Sequence, residues 1–136
     1  MITVEKLLFL RNVPLFSSLA SKELGRVAAV TEEVIYSAGS KIVTEGDYGD
    51  AMFLIADGHV AIVRGDQQIA LLGPKNYFGE MSILDGEPRA ASAIAHDDCL
   101  LLRIGQRDFH EILARHFHAS LSIIKTLCGR LRSQIH

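Results

Sequence analysis

Residues 78–92 read FGEMSILDGEPRAAS. Gly79 places no side chain beside Glu80, so the backbone there can come close to a ligand. Residues 81–84 suit a short helical turn, and the first amides of a helix have no partner inside it and attract an anion. Pro88-Arg89-Ala90-Ala91 then brings a guanidinium to the start of a strand of small residues. Its planar fork of donors matches a phosphodiester. The small Ala90 and Ala91 let backbone N–H groups approach the same anion. A glycine, a carboxylate, a turn and an arginine in this order describe a pocket for one phosphate and one ribose.

Around this stretch, from Val34 to Ile104, short apolar runs alternate with Gly, Asp and Asn turns. Strands are expected over 34–36, 41–44, 52–56, 60–64, 68–72, 91–95 and 100–104. Turn signals separate them at Gly39, Gly46-Asp47, Tyr48-Gly49-Asp50, Asp57-Gly58, Gly65-Asp66 and Gly73-Pro74. Many short strands at regular spacing argue a sandwich or jelly roll. The flanks read as helix. Val4, Leu7 and Leu8 share a face ahead of a break at Pro14, and Ser21 suits the cap of a second helix carrying Leu24, Val27 and Ala28. After Gly105, the residues Phe109, Ile112, Leu113 and Phe117 recur at helical spacing. A last helix is expected from about Ser120, with Ile124, Leu127, Cys128, Leu131 and Ile135 on one side. The organisation expected is one mainly β domain over 1–136, with a helical entry at 1–30, a β-roll at 34–104 and C-terminal helices at 106–136.

The 136 residues suffice for one domain with its own core, and a hydrophobic share of 49% excludes general disorder. Fourteen basic against sixteen acidic residues do not make a nucleic-acid-binding surface. Cys99 and Cys128 sit singly in apolar segments without zinc spacing, so two buried reduced thiols in a cytoplasmic setting are expected. The opening residues carry Glu5 and no cleavage site, which argues against a signal peptide. No apolar run approaches a membrane span. His116 and His118 form an HxH pair, but in a helical segment i and i+2 face different ways. With His59 and His96 they read as solvated histidines rather than metal ligands. No nucleophile constellation points to an enzyme.

The FGE triplet, the intervening turn and the PRAA tetrapeptide resemble, in residues and spacing, the phosphate-binding cassette of cyclic-nucleotide-binding domains. That family includes the regulatory subunits of cAMP-dependent kinase, the bacterial catabolite activators and the nucleotide-gated channels. Residues 45–63, EGDYGDAMFLIADGHVAIV, look like its first hairpins. Residues 5–19 look like the entry segment of such domains in multidomain bacterial proteins. The resemblance runs from about Leu15 to Arg132 and implies a β-roll (a double-stranded β-helix) between helices. It implies a ligand-binding set of Phe78, Gly79, Glu80, Met81, Ser82, Arg89, Ala90, Ala91 and Ser92. Arg89 would pair with the cyclic phosphate and Glu80 would accept from the ribose 2′-hydroxyl. A threonine just after the arginine goes with cGMP preference in the family, so Ala90 leans toward cAMP. The Ser92 hydroxyl is open to either a ligand or a structural role.

A lid over the base would come from Leu127, Arg130 and Leu131, unless these leucines only seal the helix onto the roll. The function implied is non-catalytic binding of cAMP by a regulatory domain that switches a partner or a fused output module. No further cofactor, nucleic acid or membrane insertion is implied. Three rivals remain: the sensing part of a transcription regulator without its DNA-binding module, a docking domain that keeps only the fold, and an enzyme on a cupin-like roll. The stripe Ile124, Leu131 and Ile135 suits either packing on the chain's own roll or a homodimer seam.

Overall fold

The structure, a computed structural model, describes residues 1–135; the Ile135 side chain and His136, which the sequence reading used, lie outside the described residues. The β-branched and aromatic runs between the turns form β1 (Glu32–Tyr36), β2 (Lys41–Val43), β3 (Ala51–Asp57), β4 (Val60–Arg64), β5 (Gln67–Leu72), β6 (Tyr77–Phe78), β7 (Ser92–Ala95) and β8 (Cys99–Gly105). All pairings are antiparallel, in two four-stranded sheets ordered β1-β8-β3-β6 and β2-β7-β4-β5. Strands distant in sequence thus become neighbours, as a jelly roll requires. The helices are α1 (Thr3–Arg11), α2 (Ser21–Val30), α3 (Glu80–Asp85), α4 (Gln106–Arg115) and α5 (Phe117–Ile135). No described helix is long and apolar enough to cross a membrane.

Two compact units result: residues 30–107, which hold every strand, and residues 1–29 together with the chain from Asp108 onward. In the strand unit, Ala51, Phe53, Ile55, Val60, Phe78, Ala93, Ala95, Cys99 and Leu101 form the core. Phe53 and Phe78 stack with ring centroids 5.3 Å apart, which fixes the short β6 against β3. That two-residue strand carries no alternation and was not expected from sequence. The other seven strands lie within a residue or two of the expected bounds.

The helical unit departs more from the sequence reading. Val4 and Leu8 are exposed, whereas Leu10 is fully buried. Val13, Leu15, Phe16 and Leu19, between α1 and α2, are buried as well. Ser21 is the first residue of α2 rather than its cap, and its Oγ accepts from Arg11 Nη2 at 2.9 Å. Leu24, Val27 and Ala28 are buried as expected. Helix α5 begins at Phe117 instead of Ser120 and buries Ala119 and Ile123. Ile124, Cys128 and Leu131 are exposed and Leu127 is half-buried, so the expected stripe is not the packed side. Leu127 lies four residues past Ile123 and so near the packed side, whereas Ile124, Cys128 and Leu131 are turned about 100° or more away from the 119/123 pair. For the same reason Cys128 is an exposed thiol and only Cys99 is buried. His116 lies between α4 and α5 and His118 lies in α5, so the HxH pair does not share a helix.

A clip that the sequence did not reveal joins the turn after β3 to the turn before β8. Asp97 accepts from the His59 backbone N–H at 2.6 Å and contacts His59 Nδ1 at 2.8 Å. The hydrogen bonds from His59 hold the Asp97 carboxyl below its usual range. Cys99 Sγ donates to the His59 carbonyl at 3.2 Å, and burial pushes this thiol up. A carboxylate with a depressed folded-state pKa stabilises the fold above its unfolded pKa and stops doing so as pH falls through the folded value. The denaturation midpoints of the parent and Asp97→Asn should therefore differ most at neutral pH. That difference should close as the pH falls through the depressed folded-state value of the Asp97 carboxyl, below the usual carboxylate range. Urea titrations across the acid range check this, and a constant difference would contradict it.

Candidate functional site

Strand β6 pairs with β3 through Phe53↔Phe78 and Leu54↔Tyr77, and so delivers the chain to Gly79. Gly79 adopts φ +88, the left-handed region where a side chain is strained, and caps α3. A Cβ at Gly79 would also lie 2.9 Å from Arg89 Nη1 and 3.1 Å from the Ala51 carbonyl oxygen. The bare Cα thus makes room for the arginine. Gly86, at φ +73, ends α3, its N–H reaching the Ser82 carbonyl at 3.1 Å.

The returning chain pairs with the loop after β2. Tyr48 and Pro88 form an isolated bridge. The Arg89 N–H donates to the Asp47 carbonyl at 2.8 Å, and the Gly46 N–H donates to the Arg89 carbonyl at 2.9 Å. With its backbone held on both sides, Arg89 turns inward and is 8% exposed. Its Nη2 donates to the Ala51 carbonyl at 2.9 Å and its Nη1 reaches the Gly79 carbonyl at 3.5 Å. Burial lowers the basicity of this guanidinium, while the carboxylates of Asp50, Asp47 and Glu80 act in the opposite sense. The group stays charged, as guanidinium does in proteins. Asp50 also faces Arg103 at 3.5 Å.

Residues 33–116 match the family profile of the cyclic nucleotide-binding domain. The chain belongs to that family. It is 36% identical over 128 residues to the cyclic AMP receptor protein of Thermus thermophilus, covering 90% of the chain and 59% of that protein. The crystal structure of the Thermus thermophilus catabolite activator protein matches with a TM-score of 0.82 at 36% identity, covering 89% of this chain and 59% of that one. A cAMP-dependent protein kinase regulatory subunit from Aspergillus niger is 37% identical over 107 residues, 77% of this chain and 26% of that protein. The chain therefore spans under two thirds of the length of these relatives. The regulatory domain of Toxoplasma gondii PKA, crystallised with cAMP, shares the fold with a TM-score of 0.82 at 24% identity.

Within this cyclic nucleotide-binding domain, Phe78, Gly79, Glu80, Met81, Ser82 and Arg89 come together around α3. Glu80 and Ser82 are buried and Met81 is half exposed at 47%. The Ser82 Oγ donates to the Glu87 carbonyl at 2.6 Å and accepts from the Gly49 N–H at 3.1 Å. Arg89 does not open a strand: Ala90 is exposed, Ala91 half-buried, and β7 starts only at Ser92. The Ser92 Oγ accepts from the Glu45 N–H at 2.9 Å, which gives that hydroxyl a structural partner. On α5, in the other unit, Arg130 and Leu131 are exposed and Leu127 is half-buried. Among the described residues no group of three or more His, Cys, Asp or Glu side chains is placed to hold a metal ion.

The loop 46–51 is the part of this site that sequence reasoning missed. Its two glycines and two aspartates read as a turn, and nothing local announces a partner at Arg89, 38 residues after Ala51. Gly79→Ala combines a strained φ with a methyl against Arg89 Nη1, so it should cost about 1–3 kcal/mol of stability. Urea denaturation checks this; an unchanged midpoint would show that the arginine shifts freely.

Proposed function

We propose that this domain binds a cyclic nucleotide, cAMP in preference to cGMP, and that occupancy switches a partner protein or a fused output module. The observation that carries the reading is the buried Arg89, held by the carbonyls of Ala51 and Gly79 at the N-terminus of α3. Two of its five N–H donors are spent on those carbonyls, and the rest of the fork suits the two free oxygens of a cyclic phosphodiester. Glu80, buried beside it, takes the ribose 2′-hydroxyl. Phe78 and Gly79 shape the wall, and Met81 with Ser82 occupy the first turn of α3, where helix amides lack partners within the helix. Ala90, Ala91 and Ser92 line the phosphate side. Ala90 supplies no hydroxyl, which favours cAMP. The likeness to a cyclic AMP receptor protein and to a regulatory subunit of a cAMP-dependent protein kinase supports the choice of ligand.

The reading is one of binding, with no bond made or broken. The two units act as one regulatory domain over 1–136. The exposed free thiol of Cys128 suits a reducing, cytoplasmic setting. Leu127, Arg130 and Leu131 are the lid, and closing it is what distinguishes the liganded state, since a ligand shifts an equilibrium only by its differential affinity.

Isothermal titration with cAMP and cGMP tests the reading. Parent protein should bind cAMP more tightly, and Arg89→Ala should lose about thirtyfold to several thousandfold in affinity, from roughly 2–5 kcal/mol of lost interaction. Ala90→Thr should improve cGMP and narrow the preference. A parent that already prefers cGMP, or an Arg89→Ala that binds as the parent does, removes the assignment. Hydrogen exchange addresses the lid. Terminal helices open at low free-energy cost, so amides of residues 124–131 should gain protection with cAMP, alongside those of 79–82. Protection confined to the cassette would leave α5 as a packing element.

A further inference from the structure

Gly49 has an ordinary backbone conformation, with no positive φ to require a glycine, yet a Cβ there would meet three atoms at once. It would lie 2.8 Å from Arg89 Cζ, 2.9 Å from Arg89 Nη2 and 2.9 Å from Ser82 Oγ. The bare Cα of Gly49 is therefore one wall of the guanidinium slot. Ser82 holds that wall in place. Its single hydroxyl hydrogen is committed to the Glu87 carbonyl at 2.6 Å, and one lone pair takes the Gly49 N–H at 3.1 Å. An ionised phosphodiester can only accept hydrogen bonds, so the Ser82 hydroxyl has no proton to offer it while this arrangement stands.

We propose that Gly49 and Ser82 are positioning residues: together they set the guanidinium of Arg89 in its slot, and so tune ligand affinity without touching the ligand through their side chains. The inference rests on the cyclic-nucleotide reading and deepens it. Two carbonyls hold the far edge of the fork, those of Ala51 and Gly79. Gly49 closes the slot at Cζ and Nη2. Ser82 ties this wall to α3, the element that also carries Glu80. The spacing between the phosphate-binding and ribose-binding groups is thereby fixed through one hydroxyl. A misplacement on the order of 1 Å is enough to cost up to a hundredfold where geometry is this tight.

The test places Gly49→Ala and Ser82→Ala in the parent and in the Arg89→Ala variant, and reads both cAMP affinity and thermal stability. In the parent, Gly49→Ala should weaken cAMP binding by about tenfold or more, and Ser82→Ala by a smaller but clear factor. Because neighbours that share a slot are non-additive, Gly49→Ala should lower the melting temperature of the parent markedly and that of Arg89→Ala clearly less, since two of the three atoms its methyl would meet are gone and only Ser82 Oγ remains. An equal drop in both backgrounds, or a Gly49→Ala protein that binds cAMP as the parent does, overturns the proposal. If the parent binds no cAMP, the cyclic-nucleotide reading fails, while the stability cycle still decides whether Gly49 packs against Arg89.

Discussion

A buried guanidinium is costly unless its donors are occupied, and the geometry of this site follows from that constraint on Arg89. Two carbonyl oxygens meet it, from Ala51 at the first residue of β3 and from Gly79 at the cap of α3. Both belong to elements set by the same pair of strands, because β3 carries Ala51 and positions β6, which leads into Gly79. The packing of Phe53 on Phe78 is what brings these two carbonyls to one place. Core packing and charge placement are thus linked through two adjacent strands.

Three carboxylates share that neighbourhood, at Asp47, Asp50 and Glu80, and they offset part of the burial cost. They surround the arginine without leaving it to depend on any one ion pair, since backbone carbonyls fix the orientation of the fork. A group held this way is pre-organised. Its side-chain entropy has been lost on folding, before any ligand arrives, and binding gains accordingly. Glycine serves this arrangement twice, for different reasons. At Gly79 both the left-handed backbone and the nearness of Arg89 exclude a side chain. At Gly49 only the second reason applies.

The cassette was legible because its signal is local. A glycine, a carboxylate, a turn and an arginine lie within fifteen residues, and each type has a narrow physical use. Most strands were legible too, because turn glycines punctuate them and β-branched residues fill them. What was hidden is non-local or a matter of helix phase. The loop 46–51 reads as an ordinary turn until β-pairing lays it against Arg89. The two-residue β6 is too short for a period. The His59–Asp97 clip joins turns 38 residues apart. In α5 apolar residues occur on more than one side, and composition does not say which side packs. Ala119, a small residue, marks the buried side that the larger stripe obscured.

That exposed stripe marks a difference in how firmly each unit holds its own elements. The cassette is built on strands, held by hydrogen bonds within residues 30–107, and its pre-organised arginine leaves little for a ligand to reshape. A switch needs an element with two arrangements of similar free energy. In the strand unit the candidates are few, because Ser82, Ser92 and Arg89 each tie one loop to another. In the helical unit α5 keeps only Ala119 and Ile123 fully buried along its described length, while Ile124, Cys128 and Leu131 face solvent. The first turns of α5 are held further by Ser120, whose Oγ donates to the Leu113 carbonyl at 2.8 Å, while its later turns bury little apolar surface, the kind of segment that opens at low free-energy cost. The switch proposed above therefore asks least of the strand cassette, where loops are tied to one another, and most of α5, whose later turns bury little apolar surface.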